Sequence, residues 1–210
     1  MKLEELMPKT HFIQFNLSDM LEELGEELVK EILSSFSCPK NKDVENFLRN
    51  KAIEFSRRGF AKTHLIFWST DDGMEKALVG YYTIASKFIT IQREAVNNKE
   101  ARKLREQGIY NEKTKEYTVS ASLIGQLGKN FSDGNDSLIL GSDLLQLAVD
   151  KILSVQKEIG GRFVYLECED KPELIRFYEE NHFKQFGKRQ LDRDETDIDG
   201  HYLLQYFTIL

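Results

Sequence analysis

The alternation of strand and helix patterns between Ser120 and Phe186 constrains the fold more than any other feature of the sequence. Short runs rich in β-branched and aromatic residues mark strands, and apolar residues at spacings of three and four mark helices. In order, the segment predicts a strand, a glycine-containing loop, a helix, a strand, a helix and a strand. Because helices that alternate with strands cover the faces of a sheet, the segment predicts an α/β architecture.

The rest of the chain fits the same architecture. The residues "HFIQF" (11–15) predict a first strand, and the apolar spacing over 17–36 predicts one amphipathic helix with Ser18 as its N-cap. A second helix is predicted with Asp43 as its N-cap, followed by an antiparallel hairpin, a short polar helix and a final pair of strands. We therefore expect a mixed α/β sheet with helices on its faces, formed by a single domain over residues 1–210.

The composition disfavours several classes of protein. A net charge of −6 is unusual for a general nucleic-acid binder, which needs a basic surface. No apolar run reaches the roughly 18 residues of a membrane span, and the N-terminus lacks the apolar centre of a signal peptide. The two cysteines and four histidines have no metal-ligand spacing. We expect a cytoplasmic protein that has no metal site and no membrane contact.

Two motifs within the alternating segment suggest chemistry. The helix predicted from "ELIRFYEENHF" carries Phe177 and Tyr178 on its inner side, and a tyrosine hydroxyl near a core needs a hydrogen-bond partner or a task. Upstream, the loop "GKNFSDGNDSLILGS" (128–142) leads from a strand into a helix. Free N–H groups at such a helix N-terminus can bind phosphate, although most loops of this kind only turn the chain.

Together the two motifs resemble the GNAT superfamily of acyl-CoA-dependent N-acetyltransferases. Members commonly have a strand, a pyrophosphate loop and helix, another strand, and then a helix with the pattern A-x-x-F-Y-x-x-x-G-F, which corresponds here to residues 174–183. The upstream segments "FLRNKAIEFSRRGFAKTHLIFW" and "ALVGYYTIAS" are similar to the subgroup that includes toxins acetylating aminoacyl-tRNA. The resemblance extends from about Asp43 to the C-terminus and implies a GNAT-type, mostly antiparallel twisted sheet with helices on both faces.

The resemblance also implies acetyl-CoA as co-substrate and a primary amine as acceptor. The amine would attack the thioester directly, and Tyr178 would act as general acid toward the departing CoA thiolate. The strand before the loop would separate from its neighbour and offer backbone groups to the pantetheine arm, with one N–H stabilising the oxyanion. The residues expected to bind acetyl-CoA are Leu127, Gly128, Lys129, Asn135, Ser137, Leu140, Gly141, Ser142 and Lys171.

The general base is predicted among the glutamates of the strand before the tyrosine helix. Glu167 and Glu169 alternate around Cys168, so both side chains are expected on one face, where either could deprotonate an amine through water. Glu167 is the candidate base, with a solvated strand-end glutamate as the alternative. A buried apolar role is expected for Cys168 rather than nucleophilic catalysis, because its acidic neighbours raise a thiol pKa.

Four positions depart from the family pattern. When Gly141 is aligned with the last glycine of the pyrophosphate pattern Q/R-x-x-G-x-G/A, Asp136 occupies the Gln/Arg position and Ile139 the first glycine. Lys171 stands where many members have an asparagine that contacts CoA, and His182 replaces the usual glycine. These departures motivate an alternative hypothesis, a GNAT-fold binding module that does not catalyse.

The acceptor is not identified by the sequence. A basic cluster on the polar helix could receive an acidic acceptor or an RNA backbone, or form one solvated helix face; its members are Lys99, Arg102, Lys103 and Arg105. The acidic net charge favours a small amine, a protein N-terminus or a lysine side chain, and makes tRNA the less favoured acceptor of a toxin-like enzyme. The apolar C-terminal run 201–210 fits a central strand or the seam of a homodimer.

Overall fold

The computed structural model describes residues 12–70, 76–192, 198 and 200–210. Within them the strands are β1 (Phe12–Asn16), β2 (Lys62–Ser69), β3 (Lys76–Gln92), β4 (Gly108–Asn111), β5 (Glu116–Lys129), β6 (Phe163–Cys168), β7 (Lys184–Gln190) and β8 (Tyr202–Ile209). The α-helices are α1 (Leu17–Leu24), α2 (Glu26–Ser34), α3 (Lys42–Asn46), α4 (Ala52–Arg57), α5 (Asn98–Gln107), α6 (Gly141–Ile159) and α7 (Pro172–Glu180). A π-helical turn, Phe47–Lys51, joins α3 to α4.

The strands form one sheet in the order β1-β2-β3-β5-β6-β8-β7, and β4 pairs with β5 beside the start of that strand. Among the described strands only β5 and β6 pair in parallel. The C-terminal strand β8 lies between β6 and β7, so it is an interior strand of the sheet, next to the edge strand β7; a homodimer seam stays a prediction. The predicted mixed and mostly antiparallel sheet is confirmed.

Helices cover both faces of the sheet. Leu65 and Tyr81 pack with the apolar side chains of α1 to α4, whereas their chain neighbours Ile66 and Tyr82 pack with those of α6 and α7. Successive residues of a strand point to opposite faces, so the two helical layers lie on opposite sides. A third buried cluster joins α5 to β3, β5, β6 and β8.

The starts of the early helices differ from the prediction. The run 17–36 forms two helices instead of one, because Gly25 adopts φ 80° and ends α1. Asn16, and not Ser18, is the N-cap of α1, since its Oδ1 accepts the Ser18 N–H at 2.9 Å. Asn41 caps α3 in the same way, so the predicted cap at Asp43 is wrong too. In each case an asparagine two residues earlier provides the side-chain acceptor.

The described helices include none that is long and apolar enough to cross a bilayer. His11, the first residue of the predicted first strand, lies outside the described residues, as do residues 71–75, for which a turn is predicted. The antiparallel pairing of β2 with β3 nevertheless agrees with the predicted hairpin. Strand β4 was not predicted, because its four residues are too few to show a period.

The buried His64 makes the stability of the fold depend on pH. Burial, and then the Lys151 charge, lower its pKa from 6.5 to about 4, against a smaller opposing effect of Asp19; its ring stacks on Tyr82 at 5.1 Å. The neutral form is therefore preferred in the folded protein. We expect full stability above pH 6.5 and a loss, as pH falls to 4, of roughly 3 kcal/mol, which corresponds to this difference in pKa.

Urea unfolding between pH 7 and pH 4 measures this effect. The His64→Gln variant, which cannot be protonated, should lose this part of the pH dependence. Equal slopes for the variant and the wild type over this range would show that another group is responsible.

Candidate active site

A cleft opens in the sheet between β5 and β6. The two strands pair at three positions only, and the last pair is Ile124 with Leu166. β5 continues to Lys129 and β6 to Cys168, so the strands separate beyond that pair. This is the separation of neighbouring strands that the family resemblance implied, and it places unpaired backbone at the open edge of β5.

A β-bulge at Gly125 lies where the cleft begins. Thr83 pairs with Gln126 and Ile84 with Ile124, which leaves Gly125 as the extra residue of β5. Bulges bend a strand and turn it from its neighbour. Gly125 is exposed although β5 is an inner strand. This position was not predicted from the sequence, and the signal that indicates it is a glycine inside a strand pattern.

The residues predicted to contact the pantetheine arm, Leu127, Gly128 and Lys129, lie on β5 along this cleft. They pair with β3 on one edge, and no described strand pairs with their other edge. In an antiparallel pair alternate residues direct N–H and C=O away from the partner, so some of these groups face the cleft. Gly128 has a further role, because a Cβ there would lie 2.3 Å from Cγ1 of Val44 in the helical layer.

The N-terminus of α6 lies beside the tyrosine helix. Leu140 is the N-cap, and leucine has no side-chain acceptor for the first-turn N–H groups; the Asp143 carboxylate accepts the N–H of Leu140 itself, at 3.4 Å. The N–H groups of Gly141 and Ser142 therefore lie at a positive helix end without an N-cap acceptor. A Cβ on Gly141 would lie 3.3 Å from the Phe177 ring, so the glycine lets α7 approach α6 closely.

The loop before α6 is a 3-10 segment, Ser132–Leu138, with left-handed backbone at Asp133 and Gly134. The Ser137 hydroxyl, a predicted CoA contact, donates to the Gly134 carbonyl at 2.8 Å within the loop. Ile139 is buried in the core beneath α6. The isoleucine at the first glycine position of the family pattern thus anchors the loop. Asn135, the other predicted contact in the loop, is half-buried.

Asn130 ties this loop to the sheet and to the helical layer. Only 1% of Asn130 is exposed. Its Nδ2 donates to the Leu78 carbonyl at 2.8 Å, and its Oδ1 accepts the N–H groups of Ser37 and Ser132 at 2.9 and 3.1 Å. The asparagine thereby fixes both the start of the loop and the segment after α2.

Replacing Asn130 by aspartate should disturb both stability and acetyl-CoA binding. A buried carboxylate oxygen would face the Leu78 carbonyl in place of the amide donor. We expect a loss of about 2 to 4 kcal/mol in urea unfolding, as for a buried group left without its partner, and a higher acetyl-CoA KM. The exposed Asn50→Asp is the control, and equal unfolding midpoints for the two variants would contradict this role of Asn130.

Tyr178 is buried, with 8% of its surface exposed. Its ring packs against those of Phe177, Phe183 and Tyr206 at 5.1, 6.2 and 6.1 Å. No described residue accepts a hydrogen bond from its hydroxyl. Burial, and secondarily the nearby Cys168, raise the pKa of Tyr178 well above its usual 10, so the hydroxyl stays protonated at neutral pH and can donate a proton.

Tyr206 and Cys168 are two further residues beside Tyr178. The Tyr206 hydroxyl is buried and has no hydrogen-bond partner among the described residues. Tyr206 was not predicted as a site residue, because it lies in an apolar strand pattern. Burial, and then Asp170 and Glu169, raise the pKa of Cys168 to about 12, in agreement with the expectation that this thiol is no nucleophile.

The predicted base and the predicted lysine are both engaged by other side chains. Glu167 Oε2 accepts from Arg189 Nε and Nη2 at 2.9 and 2.8 Å, and its Oε1 accepts from Gln205 at 2.8 Å. Lys171 lies 2.9 Å from the carboxylate of the buried Glu169. The roles of Glu167 as base and of Lys171 as phosphate contact therefore stay predictions. In each role the side chain would first have to release the side chain that it contacts here.

The basic residues of α5 do not converge on one face. Lys99 and Lys103 line a cavity of about 310 Å³ beside β8, whereas Arg102 and Arg105 line a second cavity of about 420 Å³ beside Tyr117. The α5 cluster is thus divided between two cavities on the sides of the helix.

Known structures share this fold, although no family model and no curated protein sequence matches the chain. AtaT complexed with acetyl-methionyl-tRNAfMet has a TM-score of 0.61 at 16% identity, covering 94% of each chain. A tyrosine-to-phenylalanine variant of KacT has a TM-score of 0.59 at 16% identity, covering 94% of this chain and 95% of KacT.

A tyrosine-to-phenylalanine variant of the toxin AtaT, bound to acetyl-CoA and to the C-terminus of the antitoxin AtaR, has a TM-score of 0.51 at 15% identity. The match covers 84% of each chain. At these identities the similarity is one of fold. The chain therefore has the GNAT fold.

Proposed function

We propose that this protein is an N-acetyltransferase that moves the acetyl group of acetyl-CoA to a primary amine. The observation that carries the proposal is the arrangement at the cleft: β5 has no partner strand on its β6 edge beyond Ile124, the N-terminus of α6 meets α7 where Gly141 approaches Phe177, and α7 carries the protonated Tyr178. Each part matches a part of acetyl-CoA: backbone groups suit the pantetheine amides, and the helix end suits the pyrophosphate.

The chemistry then follows from the residues present. The amine attacks the thioester carbonyl carbon in a ternary complex, and a β5 N–H at the cleft stabilises the oxyanion. When the C–S bond breaks, the Tyr178 hydroxyl donates its proton to the CoA sulfur. Solved structures of both AtaT and KacT include a tyrosine-to-phenylalanine variant, which accords with a role for a tyrosine in this fold.

The base is proposed to be a carboxylate at the end of β6. Glu167 would act after it exchanges Arg189 for a water that contacts the amine. Glu167→Gln should lower kcat/KM for the amine at least tenfold while the acetyl-CoA KM changes less than threefold, because the base contacts the amine and not the cofactor. If kcat/KM for the amine is unchanged in Glu167→Gln and falls in Glu169→Gln, Glu169 is the base.

An aminoacyl-tRNA acceptor is the second candidate function. It is favoured by the fold shared with AtaT, whose structure contains acetyl-methionyl-tRNAfMet. The acidic net charge of this chain, −6, favours a small amine or a protein amine instead. Transfer of radiolabelled acetyl groups to a mixture of charged tRNAs, compared with transfer to polyamines and peptides, distinguishes these acceptors.

Calorimetric titration with acetyl-CoA tests the proposal directly. We expect micromolar binding to the wild type, followed by acetyl transfer to at least one class of amine. An absence of binding at millimolar acetyl-CoA would contradict the proposal and favour a GNAT-fold binding module without catalysis.

A further inference from the structure

The cavity of about 420 Å³ beside α5 is separate from the cleft. It lies between α5, the residue that follows β3 and the start of β5. Tyr117 at its wall precedes Gly125 by eight positions on β5, which corresponds to about 26 Å along a strand. A molecule in this cavity therefore does not contact the proposed pyrophosphate site. The residues that matter here are Arg93, Asn98, Arg102, Arg105, Glu106 and Tyr117.

The charge of the cavity selects an anion. Three guanidinium groups face one carboxylate, that of Glu106, which already accepts from Arg102 Nε at 3.1 Å. Arg93 is held in place, since its Nη1 donates to the Val96 carbonyl at 2.9 Å and its Nη2 donates to Asn98 Oδ1. A guanidinium has five N–H donors, so a fixed Arg93 keeps donors for a ligand. The charged groups that line the cavity sum to +2, and the Glu112 carboxylate also acts on Arg105, so the cavity favours an anion of charge up to −2.

The orphaned Tyr117 hydroxyl is an independent sign of a ligand. Tyr117 is fully buried; the Arg105 guanidinium lies beside its hydroxyl oxygen, and no described residue accepts a hydrogen bond from the hydroxyl proton. The Arg105 guanidinium lies 4.9 Å from the centre of the Tyr110 ring, which in turn packs 4.6 Å from the Tyr117 ring. A buried hydroxyl left unpaired costs about 1 to 3 kcal/mol, and a bound oxyanion would accept from it.

We propose that this cavity binds a small phosphate monoester. Its phosphate group carries a charge of about −1.5 to −2 at pH 7 and has three acceptor oxygens. Planar guanidinium groups bind such oxygens in pairs, and a carboxylate ligand would bring half the charge. The site goes beyond the proposed acetyl transfer, and the molecule that carries the phosphate is distinct from acetyl-CoA in the cleft.

Calorimetric titration with inorganic phosphate, with and without saturating acetyl-CoA, tests this site. We expect saturable binding that persists in the presence of acetyl-CoA. Arg93→Gln and Arg105→Gln should each weaken it at least tenfold. Tyr117→Phe should also weaken it without lowering the melting temperature in phosphate-free buffer, because no described residue accepts a hydrogen bond from the hydroxyl. Arg58→Gln, at the exposed end of α4, is the matched control.

Three outcomes would overturn the proposal. The first is an absence of phosphate binding. The second is equal binding by the wild type and all three cavity variants, which would place the anion elsewhere. A single-stranded RNA oligonucleotide could instead bind with losses in the same variants while phosphate does not, and the cavity would then serve a phosphodiester chain. Acetyl transfer does not enter these measurements, so failure of the proposed function leaves the test intact.

Discussion

Tyr178→Phe should lower kcat for acetyl transfer by about 100-fold or more, the usual contribution of a positioned general acid. The acetyl-CoA dissociation constant should change less than threefold, because the hydroxyl acts on the sulfur only as the C–S bond breaks. Thermal stability should be unchanged, since no described residue accepts a hydrogen bond from this hydroxyl and the phenyl ring keeps its packing. Steady-state kinetics measures kcat, and calorimetry measures the dissociation constant and the thermal stability.

Tyr117→Phe is the matched control for this prediction. It removes another buried tyrosine hydroxyl whose proton has no described acceptor, about 26 Å along β5 from the cleft. We expect its kcat to equal that of the wild type. A Tyr178→Phe enzyme that retains more than about a third of the wild-type kcat would show that another group, or water, protonates the thiolate.

Ser142→Glu should raise the acetyl-CoA dissociation constant at least tenfold. The substitution places a carboxylate beside the N–H groups at the start of α6, where the pyrophosphate is proposed to bind. An acidic residue in the first turn stabilises a helix by about 0.3 to 1 kcal/mol. The variant should therefore be at least as stable as the wild type while it binds acetyl-CoA less well, so that misfolding cannot explain the loss.

Ser154→Glu adds the same charge to the same helix. It is exposed and lies twelve residues further on, about 18 Å along the helix axis. Its acetyl-CoA affinity should stay within twofold of the wild type. Equal affinities for both variants would mean that the pyrophosphate does not contact the start of α6.

Residue patterns in the sequence predicted most of the architecture. Periods of two and of three to four residues predicted the order of strands and helices, because the side of an element that is buried repeats with its geometry. The exact first residues of the helices were less predictable. Asn16, Ser18, Asn41 and Asp43 are all good N-cap residues by type, and only the backbone of the folded chain selects which side chain reaches the N–H groups.

At the candidate site, the sequence by itself determined which residue types are available: a tyrosine helix, a loop entering a helix, and glutamates at a strand end. Only the tertiary structure decided their environment. It opens the sheet at Gly125, leaves Tyr178 buried without a described hydroxyl partner, and engages Glu167 with Arg189. Strand separation, burial and charge pairing depend on contacts between residues distant along the chain, and a local pattern of side chains does not contain them.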